Sequence, residues 1–354
     1  GRWSSAWPTC TGRRSGIGPV RGRARPQWRR WRRASRPARP EKGPRSCRNT
    51  RRRLKWRTRQ PRRPELTTEP DTTARLLITC PDRPGIVSAV TTFLYHHHAN
   101  VTELDQHASD ASGGRFFLRL EFQTPDVDLS RDAMQRAFGE VVGSRFGMDW
   151  HMSFAADRPR MAILVSRHDH ALLELLWRWS RGELRADIAM VISNHPDLRA
   201  AVEGFGVHFE HVPFAQDIQQ QAESRILELV QTQADFLVLA RFMRILSGDF
   251  VRHFPSRIIN IHHSFLPAFV GADPYQQAYV KGVKIIGATA HYVTADLDQG
   301  PIIEQDVARV AHHMTVDELK RLGRDLERQV LARAVRWQVE DRILLDGNKT
   351  VVFD

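Results

Sequence analysis

Apolar positions first recur in order at Ala74. Residues 74–80 (ARLLITC) predict a strand buried through its centre. Pro81-Asp82-Arg83-Pro84-Gly85 is a turn, and Ile86, Val90, Phe93 and Leu94 then take helical spacing over 86–97. Strands follow over 99–104 and 115–122, divided by the Ser112-Gly113-Gly114 turn. Residues 129–146 are helical in period, and 148–154 close the set as a strand. This β-α-β-β-α-β order predicts a ferredoxin-like module over 73–155.

A polar hinge, AADRPR at 155–160, separates that module from a second pattern. Strand periods at 161–166, 187–193, 207–212 and 235–239 alternate with helical periods at 171–180, 197–204, 218–232 and 247–253. Continuous apolar strands between helices predict a doubly wound, mostly parallel α/β sheet over 160–354. A long helix is expected from 316 to 344, with Thr315 and Glu318 as a capping box and Gly323 as a place for a bend.

Composition changes the picture mainly for residues 1–72, which show no apolar period. Residues 1–70 hold 21 Arg and 2 Lys against 3 Glu, a net +20. The whole chain carries +13, so the other 284 residues carry −7. The basic character therefore belongs to the N-terminal segment alone, and no nucleic-acid partner is expected for the folded part. The segment is Arg- and Pro-rich, contains Trp3, Trp7, Trp28, Trp31 and Trp56, and is expected to be disordered. It reads as a nucleic-acid-binding arm, as an organellar transit peptide, or as translated upstream sequence. The last is the expectation, because the first Met is Met134 and no amphipathic pattern is present. Cys10 and Cys47 lie in this segment, which leaves Cys80 as a lone thiol and points to a reducing cytoplasm. No apolar run approaches the roughly 18 residues of a membrane span.

Candidate chemistry concentrates after residue 257. Asn260-Ile261-His262 follows Ile258 and Ile259, and Asp298 follows the apolar run 285–293. These positions predict residues just past the carboxyl ends of strands, where open α/β sheets build their sites. An amide and an imidazole can stabilise a carbonyl oxygen as it gains charge, and a carboxylate can hold a water or move a proton. Such a set suits attack on a carbonyl without a metal. The His96-His97-His98, His262-His263 and His312-His313 clusters lack carboxylates at ligand spacing, so no metal site is expected. Taken singly, Asn260 reads as a turn cap and His262 as a core histidine; only the ordered set carries the chemistry.

That set resembles the folate-dependent formyltransferase family. The matching text is NIHHSFLPAF at 260–269 and HYVTADLDQGPIIEQ at 291–305, in the family's order and spacing. The resemblance implies that Asn260, His262 and Asp298 carry formyl transfer from a reduced folate. ARFMRILS at 240–247 resembles the family segment whose backbone, around Met243, Arg244, Ile245 and Leu246, lines the folate head-group pocket; the Arg244 side chain is expected to face solvent. His291 also matches and is expected either to orient the Asp298 loop or to be structural. Gln276 departs from the pattern, where the resemblance implies histidine and a folate-side contact.

The ITCPDRPGIV start of the first module resembles an ACT domain, which often binds an amino acid. Asp82 and Gly85 are the expected effector residues, at a helix N-terminus that favours a carboxylate. A module kept only for pairing subunits is the alternative. Transferases acting on phosphorylated amines carry a Gly-rich cradle after the first strand of the sheet, whereas here that strand runs into Ser166-Arg167-His168-Asp169-His170. Water is then the simplest acceptor. The pairing of modules over 74–354 resembles the formyltetrahydrofolate deformylase family. It implies hydrolysis of 10-formyltetrahydrofolate to formate and tetrahydrofolate, no cofactor, a homo-oligomer and a role in balancing one-carbon pools for purine synthesis. Transfer to an unidentified amine and folate binding without turnover remain as alternatives.

Overall fold

The computed structural model describes residues 72–110, 113–267 and 273–354. The Arg-rich segment, and with it every reading of its role, lies outside the described residues. Among the described residues no helix is long and apolar enough to cross a membrane.

The first module is built as β1 (Thr73–Pro81), α1 (Ile86–His96), β2 (Asn100–Ala108), β3 (Arg115–Gln123), α2 (Arg131–Phe138) and β4 (Asp149–Phe154). Between α2 and β4 the helix passes through a π turn, Gly139–Gly143, into α3 (Ser144–Phe146). The sheet is antiparallel in the order β2-β3-β1-β4, the ferredoxin-like arrangement expected. Alternation decides its faces. Leu76, Ile78 and Cys80 of β1 and Phe116, Leu118, Leu120 and Phe122 of β3 face the helices in one core with Val90, Phe93, Leu94 and Phe138. The residues between them include Arg75 and the fully buried Arg119, which turn to the opposite face.

That opposite face meets the second module. Its sheet runs β11-β10-β9-β8-β5-β6-β7. The strands are β5 (Arg160–Val165), β6 (Asp187–Ser193), β7 (Phe209–His211), β8 (Phe236–Ala240), β9 (Ile258–His262), β10 (Ile285–Tyr292) and β11 (Ile302–Arg309). β5 to β9 are mutually parallel, and β10 and β11 add antiparallel strands at one edge. The helices are α4 (His170–Ser180), α5 (Arg199–Gly204), α6 (Gln219–Val230), α7 (Gly248–Arg252), α8 (Pro274–Lys281) and α9 (Val316–Val339). Central strands are buried on both faces. Met161, Ile163 and Val165 pack with α4 and α9, while Ala162 and Leu164 pack with α6 and α7.

The closing helix corrects the expected span. The Thr315–Glu318 capping box starts it, and it runs unbroken through Gly323. It stops at Val339 rather than 344. Asp341 takes φ 50°, and 343–352 form a hairpin of β12 (Ile343–Asp346) and β13 (Lys349–Val352) with Gly347 at φ 60°. Arginines of the first module hold this helix end. Arg119 Nε and Nη2 donate to the carbonyls of Asp341 (3.0 Å) and Glu340 (3.1 Å), and Arg75 pairs with Asp341 at 3.4 Å. They satisfy carbonyls that a helix C-terminus leaves without partners.

Candidate active site

β9 reads IINIH, and its parity builds the site. Ile259 and Ile261 join the core against α9, so Asn260 and His262 turn to the other side of the pleat. In β10, Ala288, Ala290 and Tyr292 belong to the same core, which leaves Thr289 and His291 on the face of Asn260 and His262. The antiparallel register sets His291 opposite Asn260 and Thr289 opposite His262. Asn260 and His262 thus stand within the last three residues of their strand, not beyond it as the sequence suggested.

Asp298 arrives from the loop after β10 with φ 56°, a left-handed conformation that Asp tolerates better than most residues. The loop can fold back because Gly300 lacks a Cβ: one there would strike the Tyr292 carbonyl. Asp298 Oδ2 lies 3.3 Å from His262 Nδ1, and Oδ1 lies 3.6 Å from His291 Nε2. The His262 and then the His291 imidazole hold the Asp298 carboxyl well below the usual carboxylate range, against the opposing pull of partial burial.

Donor and acceptor roles follow from the partners. The Asp298 carboxylate accepts, so His262 Nδ1 carries a hydrogen and donates to it. His262 Nε2 is buried and has no hydrogen-bond partner among the described residues. His291 Nδ1 lies 2.9 Å from the Tyr292 carbonyl and donates to it. Asn260 Nδ2 lies 3.2 Å from His291 Nε2. This orients the Asn260 amide and leaves its second N–H for a ligand. Asp298 Oδ1 approaches the same His291 Nε2 at 3.6 Å, longer than an ordinary hydrogen bond.

The remaining expected residues fall around this centre. Met243, Arg244 and Ile245 are exposed on the loop after β8, and Leu246 is buried in the core. The Asp298 loop runs beside that segment, as a Cβ on Gly248 would lie 3.6 Å from Ala295 Cβ. Gln276 is exposed on α8. In the first module Gly85 takes φ 93° and caps α1. It lines a groove of about 470 Å³ with Ser88, Thr92, His96, Val141 and Arg145. Asp82 is not among the groove walls; its N–H donates to the Gly114 carbonyl at 2.8 Å. Among the described residues no group of three or more His, Cys, Asp and Glu is placed to hold a metal.

One cluster escaped the sequence reading. Glu327, on the buried side of α9, accepts from Tyr275 at 2.8 Å, lies 2.8 Å from His170 Nε2, and pairs with Arg241 at 3.3 Å. Burial opposes its charge, yet His170, Arg241 and Tyr275 together hold its carboxyl below the ordinary value. His263 reaches this cluster from the His262 side, its ring 6.3 Å from Tyr275 and 5.1 Å from His262. The available signal was an acidic residue among Gly323, Leu326, Val330 and Leu331, on an otherwise apolar helix face.

Residues 159–335 match the formyl transferase family model, and residues 74–139 match the ACT domain. The chain is 52% identical to the formyltetrahydrofolate deformylase of Bacillus subtilis over 281 residues, covering 79% of this chain and 93% of that one. It is 53% identical to that of Mycobacterium bovis over 279 residues, covering 79% and 90%. This chain belongs to the formyltetrahydrofolate deformylase family. The crystal structure of the Pseudomonas syringae deformylase superposes with a TM-score of 0.77 at 48% identity, covering 80% of this chain and 94% of that one. The similarity includes both modules.

Proposed function

We propose that this family member hydrolyses 10-formyltetrahydrofolate to formate and tetrahydrofolate, with Asn260, His262 and Asp298 as its catalytic residues. The observation that carries the assignment is the His262–Asp298 pair beside Asn260, with His262 Nε2 buried and unpartnered. Water adds to the formyl carbon and gives up a proton. Asn260 Nδ2–H and protonated His262 Nε2 donate to the carbonyl oxygen as it becomes negative. Asp298, held ionised, positions the water, stabilises the His262 imidazolium and relays a proton. The carbon–nitrogen bond then breaks, its electron pair stays on the folate nitrogen, and that nitrogen takes up the proton. Two positioned donors of this kind contribute roughly 10²–10³ each.

Met243, Arg244, Ile245 and Leu246 form the wall for the folate head group. His291 serves it by orienting the Asn260 amide. Two exposed apolar side chains beside a mainly backbone surface suit a flat heteroaromatic ring. The reaction itself needs no cofactor. The Gly85 groove would take an amino-acid effector, carboxylate toward the N-terminus of α1, and the protein would work as a homo-oligomer in the cytoplasm. Its reaction would release formate for purine synthesis. Product analysis without any added amine tests the central reading: formate and tetrahydrofolate should appear in equal amounts. Product that appears only when an amine is supplied would mark a transferase.

A further inference from the structure

The loop that presents Met243 and Ile245 is held by side chains of α6 and by Ser166, the residue after β5. Met243 N–H donates to Ser166 Oγ at 3.1 Å. Gln219 Nε2 donates to the Ile245 carbonyl at 3.1 Å and to Glu223 Oε1 at 2.9 Å. Glu223 Oε1 accepts the Ser247 N–H at 2.8 Å, and Oε2 accepts the Ser247 hydroxyl. Ser247 Oγ in turn caps α7 through Phe250 N–H at 3.2 Å.

Glu223 is the unusual member. It is 6% exposed and sits on the buried face of α6 with Ala222, Ile226 and Val230, where an apolar residue would cost nothing to bury. No ion pair to it is found among the described residues. Its partners are an amide, a hydroxyl and a carboxamide, all serving the 245–247 segment. A buried carboxylate without a cation is expensive, so these bonds must hold something that packing alone does not. What they hold is the backbone path of a loop whose apolar side chains point outward.

We propose that Glu223, acting with Gln219, is a positioning residue that fixes the folate-binding loop and so sets substrate affinity without entering the chemistry. The proposal rests on the reading of Met243 to Leu246 as the folate wall. Small displacements of a preorganised binding surface have large effects, so loosening the loop should weaken binding by roughly 10-fold or more.

The experiment compares Glu223→Ala, Glu223→Gln, Gln219→Ala and Met243→Asp in the full chain. It reads kcat and KM for 10-formyltetrahydrofolate, Kd for tetrahydrofolate, and circular dichroism for the fold. Glu223→Ala should raise KM and Kd by roughly 10-fold while kcat stays within about 3-fold. Glu223→Gln, which keeps one acceptor oxygen, should recover part of the loss, and Gln219→Ala should weaken binding by a few-fold. If Glu223→Ala does not fold, Glu223→Gln and Gln219→Ala carry the test. Unchanged KM and Kd in the folded variants, with Met243→Asp impaired, overturns the clamp alone. Unchanged affinity in Met243→Asp as well overturns the assignment of the loop to folate.

Discussion

Asp298 Oδ2 stands 3.3 Å from His262 Nδ1, and the φ of 56° at Asp298 is what brings the two together. A left-handed non-glycine residue costs on the order of 1 kcal/mol and persists where the surroundings enforce it. Here the enforcement comes from the loop's return onto β10, where Tyr292 N–H donates to the Pro301 carbonyl at 2.9 Å. Asp298→Asn keeps the shape but removes the carboxylate charge that accepts from His262 Nδ1. Turnover should fall by roughly 10²-fold or more with tetrahydrofolate affinity nearly unchanged, because the lost interaction acts mainly in the transition state. Single-turnover kinetics with a parallel binding titration check this, and near-normal turnover would remove Asp298 from the mechanism.

His263 should make the fold acid-sensitive. Burial first, and then the positive charge of Arg241, lowers its pKa to about 4. The unfolded chain would bind this proton near the ordinary value of about 6.5. Between those values the unfolded state takes up a proton that the folded state refuses. The contribution is therefore fully present above pH ~6.5 and is lost as pH falls toward 4. It is of order 2 kcal/mol after allowing for partial exposure. Urea unfolding of His263→Gln should show a flatter slope of stability against pH in this window than the parent. Parallel slopes would show that His263 protonates without cost.

The contact between modules rests on Arg119, fully buried and bonded to Glu103, Glu121 and the carbonyls of Glu340 and Asp341. Arg119→Met keeps most of the side-chain volume but takes the guanidinium from the Glu340 and Asp341 carbonyls and one of two arginine partners from Glu103 and from Glu121, which keep Arg342 and Arg75. Removing one partner of a buried pair costs about 3–5 kcal/mol. The measured midpoint of denaturation should drop accordingly, with the ACT sheet and α9 the first elements to lose amide-exchange protection. An unaltered midpoint would mean that water replaces the guanidinium without penalty.

Much of this was legible in the chain because the central strands are buried on both faces. Runs such as MAILV and FLVLA announce themselves by continuous apolarity. β11 was missed because it is an edge strand, IIEQDVAR, with several exposed and charged positions. α8 was missed because its eight residues carry only a weak apolar stripe. The overlong closing helix came from Ile343, Leu344 and Leu345, whose apolar character continues the helical one; the Asp346-Gly347 pair was the turn signal that should have stopped it. At the site, parity placed Asn260 and His262 on one face, but Glu327, Tyr275, His170 and Arg241 come from four separate elements. Each is ordinary alone, and only the tertiary fold assembles them.

The ACT module offers the last test. Gly85 caps α1 in a conformation that costs an L-residue roughly 1 kcal/mol or more, and open space surrounds the position its Cβ would take. Packing does not demand glycine there; the backbone turn does. The N-terminus of α1 lines the groove through Gly85, Ser88 and Ala89, with Thr92, His96 and Arg145, and a helix N-terminus favours a carboxylate. An amino acid bound there, with methionine and glycine the first to try, should change folate affinity by a coupling of about 1–3 kcal/mol, and folate should change its affinity by the same factor. Arg75 and Arg119 join the ACT sheet to the end of α9, the helix that carries Glu327, and such a coupling would have to pass through contacts of this kind. Gly85→Ala should blunt the response by disturbing the turn, while turnover without effector stays unchanged. Titration of the common amino acids by calorimetry and by folate affinity decides the matter. If none binds or shifts affinity, the module serves only to brace α9 and to pair subunits.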